Sequence, residues 1–138
     1  MRGFGWRLLA TGTVLCFVTS LCHSSGNGDL SIKDIMVKAH KGDKSVLRNL
    51  GKELKRPQPN WSKVDPLAKE LESLGEALTK ATPEKGDKAS WDQLAGGYHD
   101  DAKALASATD KKDLNGARAA LGRLGKACKA CHDAHRGE

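Results

Sequence analysis

The sequence predicts an all-α protein, an antiparallel up-down-up-down four-helix bundle preceded by a removable leader. Three observations predict it. Apolar residues recur at three- and four-residue spacing from Ile32 almost to the C-terminus. Pro57 and Pro59, the Pro83-Glu84-Lys85-Gly86 run, and Asp110 to Asp113 interrupt that pattern as turns between helices would. No stretch alternates β-branched and aromatic residues with polar ones, so no strand is expected.

The first helix is expected from Ser31, with Asp34 three residues later forming a capping-box-like start. Ile32, Ile35, Met36 and Ala39 define its apolar face, which resumes after Lys41-Gly42-Asp43 with Val46, Leu47, Leu50 and Leu54. That interruption leaves one weakened helix or two pieces equally open, until Pro57 and Pro59 end the segment. A second helix follows from Asn60 or Asp65, with Pro66 suited to its first turn and Val64, Leu67, Leu71, Leu74, Leu78 and Ala81 as its stripe. The third opens at Asp87 or Ser90 and buries Trp91, Leu94, Tyr98, Ala102 and Leu105. The fourth starts near Asp110 and aligns Leu114, Ala117, Leu121, Leu124, Cys128 and Cys131. Short turns between four amphipathic segments make the bundle. Glycines at 116, 122 and 125 lower helix propensity and are expected to admit a close neighbour.

Residues 1–22 read as a secretory signal peptide, with Arg2 and Arg7 ahead of the apolar run Leu8 to Leu21. That run is short for a membrane span and holds Thr11, Gly12, Thr13 and Thr19. Leu15 and Leu21 precede Cys16 and Cys22 where a lipoprotein signal wants a small residue. Residues 23–30 form a flexible linker and 31–138 the folded domain. The expected location is periplasmic or otherwise exported, with no membrane attachment after cleavage.

The net charge of +6 becomes +4 once Arg2 and Arg7 leave, since residues 1–22 hold no other charged side chain. Much of the remainder lies between Lys33 and Arg56, which reads first as a solvated helix face and only weakly as a surface for an acidic partner. Nucleic acid is not an expected ligand, because the charge is modest and no aromatic residues interleave the lysines.

Cleavage leaves two of the four cysteines, three positions apart in Cys128-Lys129-Ala130-Cys131-His132. No distant pair remains for the disulfides that export favours. A thioredoxin-like Cys-x-x-Cys would open a helix after a strand, whereas this one lies late in a helix. A structural zinc site would have to borrow His99 and His135 to reach four ligands. Cys-x-x-Cys-His is also the attachment segment of c-type haem: each thiol adds to a vinyl group and the following histidine reaches the iron. Export, spacing and position favour one covalently bound haem c on the last helix, with Cys128 and Cys131 as thioethers and His132 as the proximal iron ligand. The few aromatic side chains, 4% of the chain, suit a bundle in which haem supplies apolar mass.

At this point the chain resembles the class II c-type cytochromes, the cytochrome c′ and cytochrome c556 group akin to cytochrome b562. The resemblance runs over nearly all of residues 31–136 and rests on the four helices, on Cys128 to Arg136, and on Met36 in the first helix. The family pattern often places an aromatic residue and then a basic one after the motif; here His135 stands in the aromatic place and Arg136 keeps the basic one. The break at Gly42-Asp43 is a second departure.

The resemblance implies two options for the face of the iron opposite His132. In cytochromes c556 a first-helix methionine is the sixth ligand; in cytochromes c′ an apolar residue leaves the iron five-coordinate. Met36 is the only methionine after the signal peptide and is favoured as the ligand over a core-filling role. His40, one turn on, is the lesser alternative, and His135 is expected at the haem edge or near solvent. Arg136 is a candidate for a haem propionate. The expected function is a soluble electron carrier working with redox partner proteins, and the alternative is a protein that binds nitric oxide or carbon monoxide. No paired carboxylates, activated nucleophile or phosphate loop points to an enzyme. Dimerisation, common among such relatives, leaves no mark in the residues.

Overall fold

The computed structural model describes residues 30–136. The leader and nearly all of the linker expected from the sequence lie outside those residues, as do residues 137 and 138. The described chain forms five helices, α1 (Ile32–His40), α2 (Val46–Leu54), α3 (Trp61–Lys80), α4 (Lys88–Asp110) and α5 (Leu114–His135), with no strand among the described residues. The architecture is the expected bundle, with its first member divided in two.

The division has a local cause. Ser31 caps α1 as its spacing to Asp34 predicts: its hydroxyl accepts from the Asp34 N–H at 3.1 Å and donates to the Asp34 carboxylate at 2.6 Å. Gly42 then turns the chain at φ +81°, a left-handed conformation that costs a residue with a side chain about 1–2 kcal/mol. Buried Ser45 begins α2, but its hydroxyl donates back to the Gly42 carbonyl at 2.9 Å and so leaves the start of α2 without a side-chain cap.

Two helix starts differ from expectation. Asn60 precedes α3, so Pro66 lies in the second turn rather than the first. Proline there removes one bond to the Ser62 carbonyl, and Ser62 is exposed, which leaves that carbonyl within reach of water. α4 runs through to Asp110, and the chain reverses over Lys112 at φ +56°. Asp113, not Asp110, therefore caps α5, accepting from the Gly116 N–H at 3.0 Å. Gly122 and Gly125 have no protein neighbour among the described residues: a Cβ added to either would meet nothing within 4 Å.

α3, α4 and α5 pack consecutively and antiparallel, joining Asp65 near the start of α3 to Thr109 near the end of α4 and Asp101 of α4 to Arg123 of α5. Val64, Leu71, Leu74 and Leu78 of α3 meet Trp91, Tyr98 and Leu105 of α4 and Leu124 of α5 in one continuous core. Leu67, Ala81, Leu94, Leu114 and Leu121 lie at its margin, partly exposed. Gly75 is buried, and a Cβ there would stand 3.2 Å from the His99 Cα and 3.4 Å from the Tyr98 ring; its bareness lets α3 and α4 approach and seats Tyr98.

α2 packs on α3 and is fastened to α5 by one side chain. Arg118 Nε donates to the Leu54 carbonyl at 2.7 Å and Nη2 to the Arg56 carbonyl at 3.1 Å, satisfying acceptors at the end of α2. α1 is attached differently. It packs on α2 and α3, with Ile35 and Ala39 fully buried, yet none of its Cα atoms comes within 8 Å of α5. The end of the bundle therefore holds a gap between its first helix and its last.

Candidate haem-binding site

That gap is a cavity of about 780 Å³, within the range of small-molecule and cofactor pockets. α1 contributes Ile32, Met36 and His40 to one side, and α5 with its C-cap Arg136 contributes Cys131 and His132 to the other. The helical repeat explains both walls, since residues four apart share a face: Met36 with His40, and His132 with Arg136. Trp91, near the start of α4, borders the cavity. Its indole N–H is buried and finds no acceptor among the described residues.

The sequence-predicted residues are brought together with one exception of degree. Cys131 and His132 line the cavity, His132 being exposed to it. Cys128 stands one turn earlier on α5, half-buried, with its thiol donating to the Leu124 carbonyl at 3.3 Å. Burial raises the pKa of both thiols, and for Cys131 the neighbouring Cys128 adds to the rise, so both are protonated at neutral pH. Met36 is half-buried at the core's margin, with part of its side chain facing the cavity. Arg136 is exposed at the mouth.

His40 and His135 have partners that the sequence did not reveal. The Tyr98 hydroxyl lies 3.2 Å from His40 Nε2, and the two rings meet edge to face with centroids 5.8 Å apart. Burial, and then the nearby His132, push the His40 pKa below its ordinary value, so the ring is neutral at neutral pH. Buried tyrosines commonly find a polar partner, and that rule was the available clue to this pair.

His135 also lines the cavity, on the side where the haem edge was expected to meet it. It is 8% exposed, and its polar atoms are turned into the α3–α4 connection. Nδ1 donates to the Lys85 carbonyl at 2.9 Å, which leaves Nε2 to accept from the Ser90 hydroxyl at 3.2 Å. Its ring meets Trp91 edge to face at 5.3 Å. The polar atoms that a phenyl ring would lack are the ones that hold the end of α5.

The alternatives to haem fit this geometry poorly. The Cys-x-x-Cys lies at the end of a 22-residue helix, with no strand in the described chain. No cluster of three or more His, Cys, Asp or Glu among the described residues can hold a metal ion by itself. A flat, largely apolar group between α1 and α5 fits both the gap and the placement of thiols and imidazole along one wall.

A four-helix bundle with Cys-x-x-Cys-His on its last helix is the arrangement of the class II c-type cytochromes. Residues 72–136 match the model of the Cytochrome C' family. The fold is similar to that of a ferrous leucine-to-valine mutant of cytochrome c prime from Alcaligenes xylosoxidans, at a TM-score of 0.54 and 23% identity over 80% of this chain and 100% of that one. No curated protein sequence matches the chain. The family match spans the latter part of α3 and all of α4 and α5, including Cys128 to His132, and the likeness to the solved structure is one of fold.

Proposed function

We propose that this chain is an exported one-haem cytochrome that carries single electrons, with His132 and Met36 as the axial ligands of its iron. The supporting observation is that Met36 and His132 border the same cavity from helices with no Cα atoms within 8 Å of each other. Cys128 and Cys131 hold the haem to α5 through thioethers, and His132 follows directly so that its ring serves the iron from that side. Bound haem supplies a one-electron ferric/ferrous couple. Met36 closes the opposite side to water and exogenous ligands, and its thioether favours the ferrous state. His40 Nε2 already has the Tyr98 hydroxyl as a partner, which is the reason to prefer Met36. Arg136 and the lysines of α1 stand at the cavity mouth, where carboxylates of the haem would meet cationic donors.

The second reading is a five-coordinate protein that takes up nitric oxide or carbon monoxide. The likeness to cytochrome c prime favours it, and it requires Met36 to act as packing alone. The visible spectrum of the haem-loaded protein separates the two. A low-spin spectrum with the weak far-red sulfur-to-iron band supports the carrier; a high-spin spectrum rejects it in favour of gas binding.

A further inference from the structure

Charge is segregated on this molecule. Residues 31–56, which make up α1, α2 and their flanks, carry eight Lys or Arg against Asp34, Asp43 and Glu53, a net of +5. Residues 57–138 carry thirteen of each sign and balance to zero. Ion pairing does not offset that excess. On α3, α4 and α5, Lys69, Lys80, Lys88, Arg123 and Lys129 each lie against a carboxylate. Within residues 31–56, Arg48 and Arg56 do so, and Lys33, Lys38, Lys41, Lys44, Lys52 and Lys55 have no ion-pair partner among the described residues.

This unpaired charge adjoins the functional cavity. Lys33, Val37 and Lys41 all lie on its rim, and Val37 is 44% exposed, the only large exposed hydrophobic side chain among the described residues. Asp34, three residues before Val37, and Glu84 on the cavity lining are the acidic exceptions beside these lysines. An apolar spot among mainly like charges is the anatomy of a docking surface, with the apolar contact giving affinity and the charges giving orientation and rate. We infer that the exposed face of α1, centred on Val37 and bordered by Lys33, Lys38 and Lys41, is where an acidic one-electron redox protein docks.

The charge decides the occupant. A second copy set face to face would bring +5 against +5. Residues 1–29 contain a single acidic side chain, Asp29, and cannot neutralise the face. An acidic protein surface complements it and would be guided to the side of the molecule where the cavity opens. This inference rests on the electron-carrier reading and extends it to the partner.

The test uses the haem-loaded protein and an acidic flavodoxin as probe, with phosphatidylglycerol-containing vesicles in parallel. Two variants with the same net charge are compared: Lys33→Glu/Lys41→Glu on the face, and Lys103→Glu/Lys111→Glu away from it. At low ionic strength the first should slow association with flavodoxin by about tenfold or more, the second by less than about twofold, and added salt should erase the difference. Equal slowing in both variants, or none in either, overturns the proposal. So does a lysine dependence confined to vesicles, which would make the face a reader of anionic headgroups. On docking, flavodoxin hydroquinone loses one electron to become semiquinone as the ferric cytochrome becomes ferrous. Face-specific association without that transfer would reject the electron-carrier reading while leaving the docking surface intact.

Discussion

The Tyr98 hydroxyl and His40 Nε2, 3.2 Å apart, tie a side chain of α4 to the last residue of α1. The nitrogen engaged is the one that would otherwise be free to bind iron. In Met36→Ala the far-red band should therefore vanish and a high-spin spectrum appear, with a lower potential, because His40 stays with Tyr98. In the double variant Met36→Ala/Tyr98→Phe the imidazole is released, and a low-spin bis-histidine spectrum should replace it. His40→Ala alone should leave the far-red band and the potential nearly unchanged. A larger effect from His40→Ala than from Met36→Ala would reverse the ligand assignment.

Arg118 joins α5 to the carbonyls that end α2. Arg118→Ala leaves those acceptors to water and is expected to destabilise the protein by about 1–2 kcal/mol, in line with hydrogen bonds from a charged donor at a partly exposed site. Arg118→Lys should recover only part of this, since an ammonium lacks the fork that reaches Leu54 and Arg56 together. Urea unfolding should show a lower midpoint with an unchanged slope.

Gly86 lies at φ +90°, and the His135 ring and the Ala134 carbonyl occupy the position a Cβ would take. Gly86→Ala is expected to cost more than the roughly 1–2 kcal/mol of the left-handed backbone alone, because the end of α5 must also move. His135→Phe keeps an aromatic ring but loses the bonds to Lys85 and Ser90. It should destabilise less than Gly86→Ala in thermal unfolding.

Each thiol makes its own attachment. Cys128→Ser and Cys131→Ser should each retain haem through the remaining thioether and shift the pyridine haemochrome maximum to longer wavelength, as one unreacted vinyl group extends the conjugation. The double variant should lose its haem on denaturation in acid and organic solvent. Retention of haem there would mean attachment elsewhere.

The helical class, the bundle and the ligand-bearing segment were legible because each is a local pattern. Periodicity marked the core stripes, Ser31 and Asp87 announced their helix starts, and Cys128 to His132 is a fixed spacing. What escaped was set by contacts distant in sequence. The hydrogen bonds of His135 could not be read from its position, because its partners, Lys85 and Ser90, are 50 and 45 residues away. Gly75 and Arg118 passed unremarked for the same reason: one matters through Tyr98 and the other through the end of α2. Pro66 was drawn to a first turn by its propensity, but Asn60 opened the helix a turn earlier.

No Cα atom of α1 lies within 8 Å of α5, and this divides the labour at the cavity. α5 carries Cys128, Cys131 and His132, so on the proposed function covalent attachment would be the work of one helix alone. α1 would supply only the opposite wall, with Met36 and His40. Changes in α1 should therefore alter what the iron binds without altering whether haem is held.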